Sequence, residues 1–259
     1  IAMQLLMPDG QVRVFELHDD PGRVLLDPRW GQAAARFVQS GFVHILDGID
    51  HLLFLLCLVI PIRRAWTLVG VVTAFTAAHS VTLIASAYGL APGALWFPPL
   101  VETLIATSIV YMALENIVGA SLTRRWLMTF AFGLVHGFGF SFVLRDTLQF
   151  AGAHVLTSLL AFNVGVELGQ LVVLAAIVPA LHLLFRFVVA ERMGTIILSV
   201  LVAHTAWHWM TERGSQLLQF PAPRLSPSSL AEMLGWVMAG VTLAAVIWLT
   251  RVLVRARAE

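Results

Sequence analysis

Four ionisable side chains interrupt an otherwise apolar stretch near the start of the sequence, GFVHILDGIDHLLFLLC at residues 41–57. They are His44, Asp47, Asp50 and His51. On one continuous helix, His44 and His51 would project only about 20° apart and face the same way. An ionisable side chain in hydrocarbon costs roughly 2.5–3.5 kcal/mol, so its presence indicates a partner or a function.

A second signal is the pair His204 and His208, which are spaced i, i+4. At that spacing two imidazoles on one helix can bind one metal ion. The flanking Trp207 and Trp209 allow another interpretation, because tryptophan is enriched at membrane interfaces.

The other apolar segments also carry nitrogen and oxygen ligands, which we expect at a similar depth, from the outer half to the middle of a membrane. Imidazole and carboxylate ligands suit divalent transition metals such as Zn or Ni. The single Cys57 offers no thiolate site. The predicted metal ligands are His44, Asp50, His51, His79, His136, Glu167, His204 and His208.

Transport of a divalent cation (Ni, Co or Zn) is the first function that such a set suggests. Ligands in the outer half would replace the hydration shell of the cation. The cation would then pass inward to Glu115 and Asn116, which lie in the predicted inner half. Such a path requires binding that is weak enough to permit release.

The alternative is an intramembrane zinc-dependent hydrolase that acts on a lipid or a membrane-anchored peptide. Its zinc ligands would be His79, His204 and His208, with water in the fourth position. Its catalytic residues, which would act as base or stabilise developing charge, would be Asp50, Glu102 and Ser80. A structural polar network that orients helices is a third interpretation of the same residues.

The composition places these groups in a membrane. Of 259 residues, 59% are hydrophobic and 12% are charged, whereas a soluble domain carries about 25% charged residues. The mean hydropathy is +0.85. The net charge of +1 gives no reason to expect a nucleic-acid partner, and the lipid bilayer is the expected environment.

Seven apolar segments are long enough to cross a bilayer at about 20 residues per helix. They are residues 34–61, 66–89, 97–119, 125–145, 155–185, 194–213 and 232–254. We therefore predict an all-α membrane protein, a bundle of seven transmembrane helices. Arginines in alternate loops, including Arg63, Arg64, Arg124 and Arg125, predict the amino terminus outside and the carboxyl terminus inside.

The predicted domains are an extracytoplasmic segment at residues 1–33, the transmembrane domain at 34–254 and a cytoplasmic tail at 255–259. The first segment alternates apolar and polar residues and contains the turn signal Pro8-Asp9-Gly10. It predicts the end of a soluble or interfacial segment, or a short hairpin.

Five motifs resemble those of the HupE/UreJ family of bacterial membrane proteins. They are HILDGIDHLLFLL at 44–56, FTAAHSVTL at 75–83, HGFGFSF at 136–142, FNVGVELGQ at 162–170 and AHTAWHW at 203–209. The resemblance is to the longer branch, whose members commonly carry an extracytoplasmic segment before the first span. It implies a multi-pass protein of the bacterial cytoplasmic membrane that passes nickel or a similar divalent ion, an activity associated with hydrogenase and urease maturation. His44, Asp50 and His51 would then handle the metal.

The site chemistry is also similar to that of the alkaline ceramidase and adiponectin receptor superfamily. Those proteins are seven-span zinc hydrolases with a late HxxxH pair, an earlier histidine and a nearby serine and aspartate. His204, His208, His79, Ser80 and Asp50 would fill these roles.

Overall fold

The computed structural model describes residues 2–6, 12–16, 29–62, 64–119, 121–148 and 154–221. Within these ranges the chain forms two strands and seven helices. The strands are β1 (Ala2–Leu6) and β2 (Val12–Glu16). The helices are α1 (Trp30–Asp47), α2 (Ile49–Val59), α3 (Ala65–Ala87), α4 (Phe97–Val118), α5 (Leu122–Leu148), α6 (Val155–Phe187) and α7 (Glu191–Leu217).

The two strands form an antiparallel hairpin before the first helix. Ala2 lies opposite Glu16, and Leu6 lies opposite Val12. This confirms the hairpin that the alternating pattern allowed, while the expected turn at Pro8-Asp9-Gly10 lies outside the described residues.

Several helices are suited to a bilayer. In the described part of the chain, α3, α4, α6 and α7 are each long and apolar enough to cross a membrane, and α1 with α2 makes a fifth, bent candidate. Helix α5 carries 19 consecutive residues without Asp, Glu, Lys or Arg, 126–144. The predicted second to sixth spans agree with α3–α7 to within about four residues at each end. The predicted span at 232–254 lies outside the described residues.

The first predicted span, 34–61, is not one helix. Helix α1 ends at Asp47 and α2 begins at Ile49, and the two axes differ in direction by 71°. Gly48 between them has φ −78° and ψ 93°, an extended conformation that cannot continue a helix. The continuous helix expected across His44 and His51 was therefore wrong, and the two histidines belong to different helices.

Close helix packing at glycines sets the positions of the elements around this break. Gly41 on α1 and Gly165 on α6 each lie directly against a backbone carbonyl of the opposite helix. Gly133 and Gly137 on α5 lie in the same way against the backbone of α3. Small residues allow such close approach between membrane helices, which compensates for the weak hydrophobic drive between helices in lipid.

A buried polar network joins α2, α4 and α5 near one end of the bundle. The guanidinium of Arg125 donates to the carbonyl oxygen of Cys57 at 3.2 Å and to the side-chain oxygen of Asn116. It also lies 3.4 Å from Glu115. The sequence placed Arg125 with Arg124 in a loop. The structure instead buries the Arg125 side chain completely, because Glu115 neutralises its charge and the other two groups accept its hydrogens.

Candidate metal centre

Three histidines from three helices converge inside the bundle. His44 is in the last turn of α1, His51 in the first turn of α2 and His79 in the middle of α3. One ring nitrogen of each lies within 4.8 Å of the others. A zinc ion with Zn–N bonds of about 2.0–2.1 Å holds its nitrogens about 3.4 Å apart. Side-chain rotations that move the ring nitrogens by about 1 Å would therefore bring them to ligand distance.

Two of these imidazoles are fixed through the nitrogen nearer the backbone. His51 Nδ1 lies 3.2 Å from a carboxylate oxygen of Asp50, which also accepts the backbone N–H of His51 at 3.0 Å. His79 Nδ1 lies 3.1 Å from the amide oxygen of Asn163 on α6. With Nδ1 protonated as donor, each ring presents Nε2 as the basic atom. Metal-binding histidines are typically held in this way.

His136 on α5 is a fourth imidazole with the same arrangement. Its Nδ1 donates to the carbonyl oxygen of Phe132 at 2.8 Å, and its ring centroid lies 5.4 Å from that of His51. The side chain is 1% exposed. His136 therefore lies beside the three-histidine group without being a member of it.

The Nε2 atoms of all four imidazoles are buried and have no hydrogen-bond partner among the described residues. A buried polar atom without a partner costs about 1–3 kcal/mol. Three of the four residues are those whose ring nitrogens lie within 4.8 Å of one another, and one divalent cation would satisfy those three together. The four are His44, His51, His79 and His136.

A cavity gives access to this cluster from one side. It has about 220 Å³ of space for water-sized molecules, and His44, His51 and His136 line it together with Asp50. Glu102 of α4 and Arg213 of α7 also line it, with Arg213 Nε 3.9 Å from a carboxylate oxygen of Glu102. The Glu102 side chain is 48% exposed, so this acid lies on the open side of the cavity and apart from the buried imidazoles.

Phenyl rings close the cluster on its other side. The rings of Phe54 and Phe75 lie 5.5 and 5.2 Å from that of His136. Phe132 packs against Phe54 at 6.2 Å. We call Phe54, Phe75 and Phe132 the phenyl floor. Nothing in these three side chains can solvate an ion.

Two further predicted residues make other contacts. The Ser80 hydroxyl donates to the Thr76 carbonyl oxygen at 2.7 Å within its own helix. Glu167 accepts the hydroxyl of Thr73 at 2.7 Å. Among the described residues, the group that could hold a metal ion consists of histidines alone and does not include Glu167.

The HxxxH pair is also separate from this group. His204 and His208 contact each other, with ring centroids 4.6 Å apart, but both lie on an exposed face of α7. His79, His204 and His208 do not form a metal-binding group in the part of the chain that the structure describes. The arrangement that the hydrolase alternative requires therefore has no support in the geometry.

Asn163 and Arg213 were not among the predicted site residues. Asn163 had a recognisable signal, because it is spaced i, i+4, i+7 with Glu167 and Gln170 on one face of a helix. Arg213 had none, since its contact with Glu102 joins residues that are distant in sequence.

Comparison with known proteins places the chain in a family. The family model described as HupE / UreJ protein matches residues 21–213, which is more than half of the 259 residues and includes every histidine of the cluster. No curated protein and no solved structure that was compared with the chain matches it. The match confirms the resemblance carried by the five motifs: this multi-pass membrane protein belongs to the HupE/UreJ family.

Proposed function

We propose that this protein binds a divalent transition-metal cation (nickel, cobalt or zinc) at the histidine cluster and passes it across the bilayer. The observation that supports this most directly is the set of four imidazoles whose buried Nε2 atoms lack partners among the described residues. Imidazole suits Ni, Co and Zn. Membership of the family described as HupE / UreJ protein also favours passage of nickel or a similar ion, which is the activity that the resemblance implies.

Each residue of the centre has a distinct proposed role. His44, His51 and His79 bind the ion through Nε2, and His136 supplies a fourth nitrogen or receives the ion next. Asp50 acts through His51, whose ring it orients, because its carboxylate accepts two hydrogen bonds from that residue. An outer partner of this kind raises the basicity of the ligand and fixes its tautomer.

The proposed direction follows from charge and shape. Arginines in alternate loops favour the amino terminus outside and the carboxyl terminus inside. In that orientation the cavity beside Glu102 and Arg213 faces outward, and the phenyl floor lies on its inner side. A hydrated cation would enter the cavity, exchange water for imidazole and be held until a route inward is available.

Metal binding by purified protein tests the first half of this proposal. We expect one Ni²⁺, Co²⁺ or Zn²⁺ per chain by equilibrium dialysis with elemental analysis. His79→Ala should weaken binding by at least 100-fold, because it removes one of three ligands. His182→Ala is the matched control, since His182 is exposed on α6 and outside the cluster. Equal affinity in the two variants would refute the centre.

Transport is tested in liposomes that contain the purified protein and a metal-sensitive dye. We expect protein-dependent influx of at least one of the three ions, and loss of that influx in His79→Ala but not in His182→Ala. If one ion binds per chain but no ion crosses the bilayer, the proposed metal binding stands and the proposed transport is refuted.

A further inference from the structure

Polar side chains continue from the metal centre along the contact between α3 and α6. Asn163 contacts His79, the hydroxyl of Thr76 donates to the side-chain oxygen of Gln170 at 2.9 Å, and that of Thr73 donates to Glu167 at 2.7 Å. We call these five residues the α3–α6 polar seam: Thr73, Thr76, Asn163, Glu167 and Gln170.

The seam leads away from the cavity. Thr73 precedes His79 by six residues, which is about 9 Å along a helix axis. This half of α3 approaches the first turns of α5, because Gly70 lies against the ring of Trp126. The cavity contacts the opposite half of α5 at Gly139 and Phe140. The seam therefore leads from the level of the histidine cluster towards the other side of the bundle, as far as the exposed Thr73.

In the middle of the bundle, the described residues form no comparable polar route. The phenyl floor lies directly beneath His136, and phenyl rings do not replace the hydration shell of a divalent ion. Beyond it stands the fully buried guanidinium of Arg125, which already engages Glu115 and Asn116. The carboxylate of Glu115 is thus already paired with a fixed positive charge and is not free to bind a passing cation. The expected inward route through Glu115 and Asn116 is therefore disfavoured.

Glu167 is the one carboxylate of the seam, and its hydrogen bonds are incomplete. One oxygen accepts from Thr73, while the other, Oε2, is buried and has no partner among the described residues. A carboxylate inside a membrane bundle needs a cation or a proton to offset its charge. The side-chain oxygen of Gln170 lies one helical turn away on the same face.

We propose that Glu167 is a second cation-binding position, which receives the divalent ion from the histidine centre through the polar seam. This inference rests on the proposed function. The donors of the seam are oxygens, which hold a late first-row transition metal less tightly than four imidazoles do. The ion would thus move from a tight nitrogen site to a weaker oxygen site, and this order favours release on the far side.

The test compares Glu167→Gln with wild type in the full chain, by Ni²⁺ binding in detergent and Ni²⁺ influx into liposomes. The glutamine oxygen still accepts the Thr73 hydroxyl, so the variant keeps the helix contact and loses only the charge. We expect one bound Ni²⁺ at unchanged affinity and an influx reduced at least 10-fold. Glu167→Asp should recover part of the influx, and Glu212→Gln, at an exposed carboxylate of α7, should leave it unchanged.

The outcomes separate this inference from the proposed function. If Glu167→Gln transports Ni²⁺ at the wild-type rate, the second cation-binding position is refuted and the histidine centre is unaffected. Weakened Ni²⁺ binding in Glu167→Gln, equal to that of His79→Ala, would also refute it, since Glu167 would then belong to the first site. A wild-type protein that neither binds nor transports Ni²⁺, Co²⁺ or Zn²⁺ would refute both.

Discussion

Asp50 would serve the proposed metal site through His51, without binding the ion itself. Its carboxylate accepts the backbone N–H and the ring Nδ1 of His51 at 3.0 and 3.2 Å. The first hydrogen bond stabilises the start of α2, and the second orients the imidazole. Because both bonds use the same oxygen, an amide oxygen at this position can accept them as well.

This leads to a graded prediction at Asp50. Asp50→Asn keeps an acceptor, and we expect metal affinity to fall by less than about 10-fold. Asp50→Ala removes the acceptor, and we expect a loss of about 10–100-fold, which is typical when an outer partner of a ligand is removed. Dissociation constants for Ni²⁺ or Zn²⁺ measure the difference. Equal and complete loss in both variants would instead identify Asp50 as a direct ligand.

At the scale of single residues, the sequence singled out the histidines that the structure brings together, by their type and by their position in apolar segments, while metal binding by them stays a prediction. His44, His51, His79 and His136 were all among the predicted ligands. Their hydrogen-bond partners were not, because Asn163 and the carbonyl of Phe132 reach them through helix packing. His204 and His208 were predicted as ligands because an i, i+4 spacing places both side chains on one face of a helix. The spacing does not indicate whether that face packs against the other helices or is exposed, and here it is exposed.

At the scale of elements, the closest contacts between helices occur where a side chain would collide with backbone. A Cβ at Gly165 of α6 would collide with the carbonyl of Val38 on α1. A backbone group can yield only if the whole helix moves. This contact holds α6, and with it Asn163 and Glu167, at a fixed distance from the helix that carries His44.

We expect Gly165→Ala to lower the free energy of unfolding by about 1–3 kcal/mol, which is typical of overpacking. Gly31→Ala is the matched control on α1, because nothing lies within 4 Å of a Cβ there. Its expected effect is neutral, or stabilising by up to about 1 kcal/mol, since alanine has the higher helix propensity. Unfolding in mixed detergent micelles measures both variants, and a larger loss in Gly31→Ala would contradict the assignment.

Most helix boundaries followed from hydropathy, because an apolar run of about 20 residues between arginines or prolines leaves few alternatives. The break at Gly48 did not. A seven-residue spacing places His44 and His51 on one face of a continuous helix, and the bend brings the same two rings to 4.7 Å between centroids. A continuous helix and a bent pair of helices are both compatible with the spacing of these histidines. Only the packing of α1 on α6 and of α2 on α4 distinguishes the two.

At the scale of the whole molecule, the chain separates its charges by depth. The proposed metal centre consists of imidazoles and one half-buried carboxylate, while the buried ion pair of Arg125 with Glu115 lies past the phenyl floor. This pair joins α4 and α5, and through the carbonyl of Cys57 it also holds the end of α2. Its opposite charges were visible in the sequence, but the depth of Arg125 was not, since arginine normally marks a loop.

A double-mutant cycle tests the structural role of this ion pair. Glu115→Gln alone should lower the free energy of unfolding by about 3–5 kcal/mol, because it leaves the buried charge of Arg125 uncompensated. Arg125→Gln should lower it by less, because Arg124 remains 3.9 Å from Glu115. The double variant should be more stable than the sum of the two losses implies, by about 0.5–3 kcal/mol. Denaturant titration in mixed micelles checks the coupling, and strictly additive losses would show that the two groups act independently.

The break at Gly48 also makes the distance between His44 and His51 depend on the angle between α1 and α2. His44 and His51 sit on two rigid rods joined by a single residue, and His51 lies three residues, about 4.5 Å, from that joint. A rotation of about 10° at the joint displaces His51 by about 0.8 Å, whereas metal–ligand distances tolerate only about 0.2 Å. Any movement that straightens or sharpens the 71° bend would therefore draw His51 away from an ion bound at the proposed centre, so that the angle between α1 and α2 would set the affinity for the metal.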